Sequence, residues 1–140
     1  MFTMSNSSTE EIGVNYLKTV LAKTHVVTTN GILTGDKEIS WDGHFSVFRG
    51  DAGKKELFLG NIPVQVKTIH QDNNNNRFSI DKVDLINYRT EGRVMYFYIT
   101  LDKHDEATIF YLSLMLWDID KILREIGDNM SKTCTLRALV

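Results

Sequence analysis

Asp42 and the pair Gln65-x-Lys67 are the residues whose types and spacing can do chemistry in this sequence. An extended backbone sends alternate side chains to opposite faces. Gln65, Lys67 and Ile69 therefore share one face of a strand, and Val64, Val66 and Thr68 share the other. A carboxylate and an amide oxygen are hard donors that suit Mg²⁺, which keeps bound waters as potential nucleophiles. A lysine beside them can orient a water or offset the charge that grows on a phosphate. These are the parts of a metal-assisted phosphodiester hydrolysis. A Gln and a Lys alternating on a strand are equally what the solvated face of an antiparallel sheet displays. The apolar stretch Leu57-Phe58-Leu59-Gly60-Asn61-Ile62 argues for a central strand covered on both faces, where an unaccompanied lysine is costly.

A hairpin must position these residues. Glu38 to Phe48 reads as its first arm, with Phe45 and Val47 alternating with polar neighbours. Gly50-Asp51-Ala52-Gly53-Lys54-Lys55 is the tip, and residues 57 to 69 return. Pairing symmetric about the tip sets Asp42 opposite residues 64 to 66, with Asp42 and Gln65 on one face and Lys67 a pleat further along. Before the hairpin, Ser7-Ser8-Thr9-Glu10-Glu11 opens a helix, because hydroxyls cap its first amides and acids favour its positive end. Ile12, Val14, Leu17, Val20 and Leu21 give that helix an apolar face to about Lys23, and His25 to Thr29 reads as a short strand. After a polar loop from Asp72 to Asn76, a second helix is expected from Ser79-Ile80-Asp81 to about Tyr88, with Val83, Leu85 and Ile86 inward. Residues 94 to 100 and 108 to 114 read as strands around an Asp102–Asp105 turn. A helix from Asp118 to Ile126 is stopped by Gly127, and residues 132 to 140 read as a last strand. The order is that of a single α/β domain, a mixed sheet flanked by helices, with residues 1–8 expected to be disordered. No repeat, internal linker or Gly-rich phosphate loop stands in it.

The bulk numbers exclude several classes. With 140 residues the chain is long enough for one sizeable core. A formal net charge of −2 gives no whole-surface attraction to nucleic acid, so any polyanion binding has to be local. The single cysteine, Cys134, rules out an internal disulfide and fits a reducing cytoplasm. The four histidines lack metal-ligand spacing, the first residues have no signal-peptide pattern, and the longest apolar run is too short to span a membrane.

The stretch Glu38-Ile39-Ser40-Trp41-Asp42-Gly43, followed by Gly60-Asn61-Ile62-Pro63-Val64-Gln65-Val66-Lys67-Thr68, resembles the PD-(D/E)XK nuclease superfamily. More narrowly it is similar to the Q-x-K branch near Mrr-type restriction enzymes and Holliday-junction-resolvase-like enzymes. Within that branch it looks most like an uncharacterised bacterial domain family with a VQVK core strand. The resemblance covers roughly residues 9 to 126. It implies a restriction-endonuclease-like fold and an Mg²⁺- or Mn²⁺-dependent endonuclease of DNA, in genome defence or DNA processing. It further implies a homodimer and an associated targeting domain, so that this chain would be the N-terminal module of a longer protein. Carried over by position, Asp42 would bind the metal, Gln65 stands in the usual acidic place, and Lys67 would be the active-site lysine. Glu38 occupies the position of an earlier aspartate in Mrr-like sequences. A glutamate of the first helix would complete the site, Glu11 by preference with Glu10 as its rival. Helix-end charge compensation explains both glutamates equally well. The superfamily's proline before the aspartate is replaced by Trp41, and Gln65 leaves the metal with less negative charge.

The remaining candidates have plainer explanations. His44 and His70 lie near the proposed site but read as solvent-facing or satisfied histidines. Trp41, Tyr96, Phe97, Tyr98, Phe110, Tyr111 and Trp117 can stack on bases, yet aromatics at strand spacing are usually core. Lys54, Lys55, Lys82, Arg89 and Arg93 are scattered cations able to touch phosphates. Cys134 lacks a nucleophile setting and reads as a small buried side chain. The competing functional reading is an inactive nuclease-fold module that binds nucleic acid or a partner protein.

Overall fold

The computed structural model describes residues 6–32, 43–71 and 75–139. Helix α1 (Asn6–Ala22) is followed by strands β1 (Val27–Thr28), β2 (His44–Phe48) and β3 (Phe58–His70). Strand β4 (Arg77–Asp81) leads into helix α2 (Lys82–Glu91). The chain then runs through β5 (Arg93–Leu101), β6 (Ala107–Met115), helix α3 (Leu116–Ile126), β7 (Ser131–Thr135) and β8 (Arg137–Ala138). One mixed sheet has the order β1-β2-β3-β5-β6-β8, and β4 pairs with β7 in a separate two-stranded sheet. The pairing of β3 with β5 is parallel, and the other ladders among the described residues are antiparallel. A mixed α/β fold with a largely antiparallel sheet flanked by helices is thus what the periodicities require.

The β2–β3 hairpin has the expected register, with His44 opposite Pro63 and Ser46 opposite Asn61. Beyond that ladder the Val64 amide donates to the Gly43 carbonyl at 2.9 Å. Glu38, Trp41 and Asp42 lie outside the described residues. In β3 the two faces separate cleanly. Val64 and Val66 pack with Val14 and Leu17 of α1 and with Phe97 and Ile99 of β5. Gly13 sits where α1 crosses Thr68: a Cβ on Gly13 would lie 2.1 Å from Thr68 Oγ1, so only a glycine permits this approach.

The opposite face is covered by α2, α3 and the β4–β7 pair. Ile80, Leu85, Tyr88, Val94, Leu114, Ile119 and Ile126 form one cluster there, and Tyr96, Tyr98, Phe110 and Leu136 another. Phe78 of β4 packs its ring on Tyr96 and Tyr98, with centroids 5.3 and 4.8 Å apart. This corrects the helix expected from Ser79. Residues 77 to 81 are a strand, because Phe78 and Ile80 turn inward at period two and β7 supplies the ladder from Thr135 to Ser131. Helix α2 therefore starts later and in another rotational phase. Leu85 and Tyr88 face in, whereas Val83 and Ile86 are exposed rather than inward.

The C-terminal strand is also divided. Leu136 is buried at 2% exposure, its amide donating to the Asn76 carbonyl and its carbonyl accepting from the Asn76 side chain. The chain therefore switches from the small sheet (β7) to the edge of the large one (β8). Trp117, read with the core aromatics, is 68% exposed.

Two expectations follow. Gly13→Ala should lower stability by about 1–3 kcal/mol through overpacking, despite gaining about 1 kcal/mol in helix propensity. Thr68→Ala in the same chain should recover part of the loss in urea unfolding. At the β5–β6 turn, the Glu106 and His104 amides donate to Asp102 Oδ1 and hold its carboxyl below the ordinary 3.8. Its contribution is then present above the unfolded value and lost as pH falls through the lower folded one. A carboxyl NMR titration should give a midpoint below 3.8.

Candidate functional site

Gln65 and Lys67 open onto a cavity of about 170 Å³ between β3, β5 and the β4–α2 junction. Ser79, Asp81, Asp84 and Tyr96 line it with them. The pairing explains the convergence: Gln65 is level with Tyr96 and Lys67 with Tyr98 in the parallel ladder, and the crossover from β3 to β5 carries β4 and α2 over that face. Asp81 is the residue before α2, in extended conformation, and its side chain makes no capping hydrogen bond. It is exposed and Asp84 half-buried, so both carboxylates can meet a ligand from solvent.

Lys67 is exposed, and none of the ion pairs among the described residues involves it. Gln65 is half-buried, and its Oε1 accepts a hydrogen bond from the hydroxyl of the fully buried Tyr88 at 3.3 Å. A second pair of the same kind stands further along: the Tyr98 hydroxyl donates to Gln71 Oε1 at 3.2 Å, and burial pushes that phenol above its ordinary range. The structure thus sets a cation, an amide and two carboxylates around one polar cavity on an otherwise apolar layer.

The other sequence-predicted residues fall elsewhere. Helix α1 lies on the Val64–Val66 face, opposite the cavity. Glu11 is exposed there, and Glu10 turns one carboxylate oxygen into the interior. Neither lines the cavity. His44 is exposed. His70, on the face of Val64 and Val66, ion-pairs with Asp105 at 3.7 Å when protonated. Lys82 donates to the Gly127 carbonyl, Arg89 pairs with Asp120, and Arg93 donates to the Asn61 carbonyl, so these cations brace the fold. Cys134 is half-buried, and burial raises its thiol while Lys132 pulls the other way.

Asp81 and Asp84 were missed because a helix starting at Ser79 gives them ordinary helix-start roles. The inward period of Phe78 and Ile80 was the available signal. Among the described residues no group of three or more His, Cys, Asp or Glu converges, and the acidic groups they bring to the cavity are Asp81 and Asp84, beside neutral oxygens. That donor set suits Mg²⁺, a hard ion that keeps several waters.

No protein-family model, curated protein or solved structure matches the chain. No helix among the described residues is long and apolar enough to cross a membrane.

Because Lys67 is exposed and makes no ion pair among the described residues, Lys67→Ala should change unfolding stability by no more than about 0.5 kcal/mol. Gln65→Leu should cost about 1 kcal/mol, since the buried Tyr88 hydroxyl loses this acceptor. Urea denaturation of both variants checks the contrast.

Proposed function

We propose that the chain is a metal-dependent nuclease domain of restriction-endonuclease-like architecture that hydrolyses phosphodiester bonds, with DNA as its substrate. The observation that carries this reading is the polar cavity on the central strand, where Gln65 and Lys67 stand side by side facing Asp81 and Asp84. The element order supports it: a helix, a three-strand meander, a helix and further strands are what the Q-x-K resemblance implies, and the chain has that order with β4 added before α2.

Mg²⁺ or Mn²⁺ would be held by Asp42, the residue assigned by resemblance, together with cavity oxygens of Gln65, Asp81 and Asp84. When bound, such an ion neutralises phosphate charge and makes a water acidic enough to attack. Lys67 holds the water or a phosphate oxygen, gaining strength from the half-enclosed site. Asp81 and Asp84 offset the positive charge of the ion and of Lys67. Glu38 and the α1 glutamates remain the further acidic candidates of the resemblance. Genome defence or DNA processing is the setting the same resemblance gives, with a second copy and a targeting domain as partners.

Incubation with plasmid, linear DNA and RNA in Mg²⁺ or Mn²⁺ tests the reading. Wild type should nick or cut DNA. Lys67→Ala and Asp42→Asn should lose at least about 100-fold in rate, the scale of one charge-stabilising group, with melting unchanged for Lys67→Ala. Wild type and Lys67→Ala equally inert on every substrate, while nucleic acid still binds, would establish the inactive binding module instead.

A further inference from the structure

Strand β6 is paired with β5 along its whole length, but with β8 only where Phe110 meets Ala138 and Tyr111 meets Arg137. The Leu139 amide donates to the Ile109 carbonyl, so the odd-numbered residues of β6 turn their N–H and C=O toward β8. By that alternation Ser113, an exposed residue, turns its backbone groups to the same edge. A continued β8 would set residue 135 against them. The chain instead changes sheets at Leu136, and Thr135 pairs with Arg77. One step further the Met115 amide is already held, by Asp118 Oδ2 at 3.0 Å. The outer edge of β6 therefore presents the amide and carbonyl of Ser113. A cavity of about 320 Å³ lies against them, lined by Tyr111, Leu112, Ser113, Asp118 and Arg137. A second, of about 190 Å³, shares Leu112, Ser113 and Asp118 with the first and reaches Leu114, Ile122 and Lys121.

The charge around this edge is one-sided. Asp118 is engaged by the Met115 amide and Glu125 by Lys132, whereas none of the ion pairs among the described residues involves Lys121 or Arg137. We propose that the edge of β6 at Ser113 docks an extended acidic peptide of a partner protein by strand addition. An open strand edge with adjoining cavities is what that mode of recognition uses: backbone bonds give affinity and side-chain pockets give selectivity. The register states the pattern. A peptide residue opposite Ser113 projects from the same face as Tyr111 and Arg137, about 7 Å from Arg137 along the strand line. A carboxylate belongs there. Its two neighbours fall opposite Leu112 and Leu114, on the face where the second cavity reaches Ile122, and are apolar. The motif is thus an acidic residue between two apolar ones, in a site separate from the Gln65–Lys67 cavity and independent of the nuclease reading.

The probe is a short end-blocked peptide alternating valine with glutamate, titrated into the ¹⁵N-labelled chain while the Ser113 amide is followed by NMR. Its counterpart alternates valine with lysine. The Ser113 signal should move saturably with the glutamate peptide, and the lysine peptide should bind at least about tenfold more weakly. Ser113→Pro removes the outward N–H without costing a bond to β5, so it should abolish binding with the fold intact by thermal melting. Ser113→Ala keeps the N–H and should bind as wild type. Arg137→Gln, at an exposed position, should weaken the glutamate peptide roughly fivefold and keeps the test valid if the proline disturbs folding. The inference is overturned if the Ser113 signal ignores the glutamate peptide or if the two peptides bind alike. It is equally overturned if folded Ser113→Pro, or Arg137→Gln, binds as tightly as wild type. Ser113 shifts produced by a DNA or RNA oligonucleotide and not by the glutamate peptide would assign the edge to phosphates instead. Shifts that follow the concentration of the chain without any peptide would assign it to a second copy, and either result refutes the docking of an acidic peptide.

Discussion

Two strands that run the same way cannot be joined by a tight turn, and the pairing of β3 with β5 obeys that constraint. The chain must leave the sheet after His70, cross one face and re-enter beside Gln65. Strand β4 and helix α2 make this crossover, and β7 and α3 then pack on them. Everything placed over the Gln65–Lys67 face follows from it. Asp81 and Asp84 arrive at the junction of the crossing elements, Tyr88 arrives three residues beyond a buried Leu85, and Phe78 lays its ring on Tyr96 and Tyr98.

The two faces of β3 consequently meet different neighbours. On one, α1 comes so close at Gly13 that Thr68 fills the space a side chain would occupy, and Val64 and Val66 pack into an apolar cluster. On the other, a cavity at the β4–α2 junction leaves polar room around Gln65 and Lys67. A lysine on a central strand is tolerable for that reason: its ammonium reaches solvent through the cavity instead of ending in the core. Buried polar groups on this side are matched in kind, with Tyr88 on Gln65 and Tyr98 on Gln71.

Much of the fold was legible because it is local. The apolar period of α1, the Gly50–Lys55 hairpin tip, the long β-branched return arm and the β5–β6 pair around Asp102 all occur where their residues imply. The errors have one cause. Residues 77 to 81 are polar at alternate positions, and their partner strand is β7, near the other end of the chain, so nothing local distinguished a strand from a helix start. That misplacement rotated α2, put Val83 and Ile86 inward and gave Asp81 and Asp84 no role. The last strand, read over residues 132 to 140, divides at Leu136 for a similar reason: Leu136 lies between β7 and β8, buried and held by Asn76 from across the structure.

The sequence alone determined the α/β alternation, the face on which Gln65 and Lys67 stand and the register of the β2–β3 hairpin. Period, turn residues and strand length are properties of neighbouring residues. Only the tertiary structure decided what faces that pair. It set two aspartates across a cavity, a tyrosine behind the glutamine, and α1 with its glutamates on the opposite side. Those juxtapositions depend on a parallel crossover and a long-range strand pair, whose partners are chosen by packing between segments far apart in the chain.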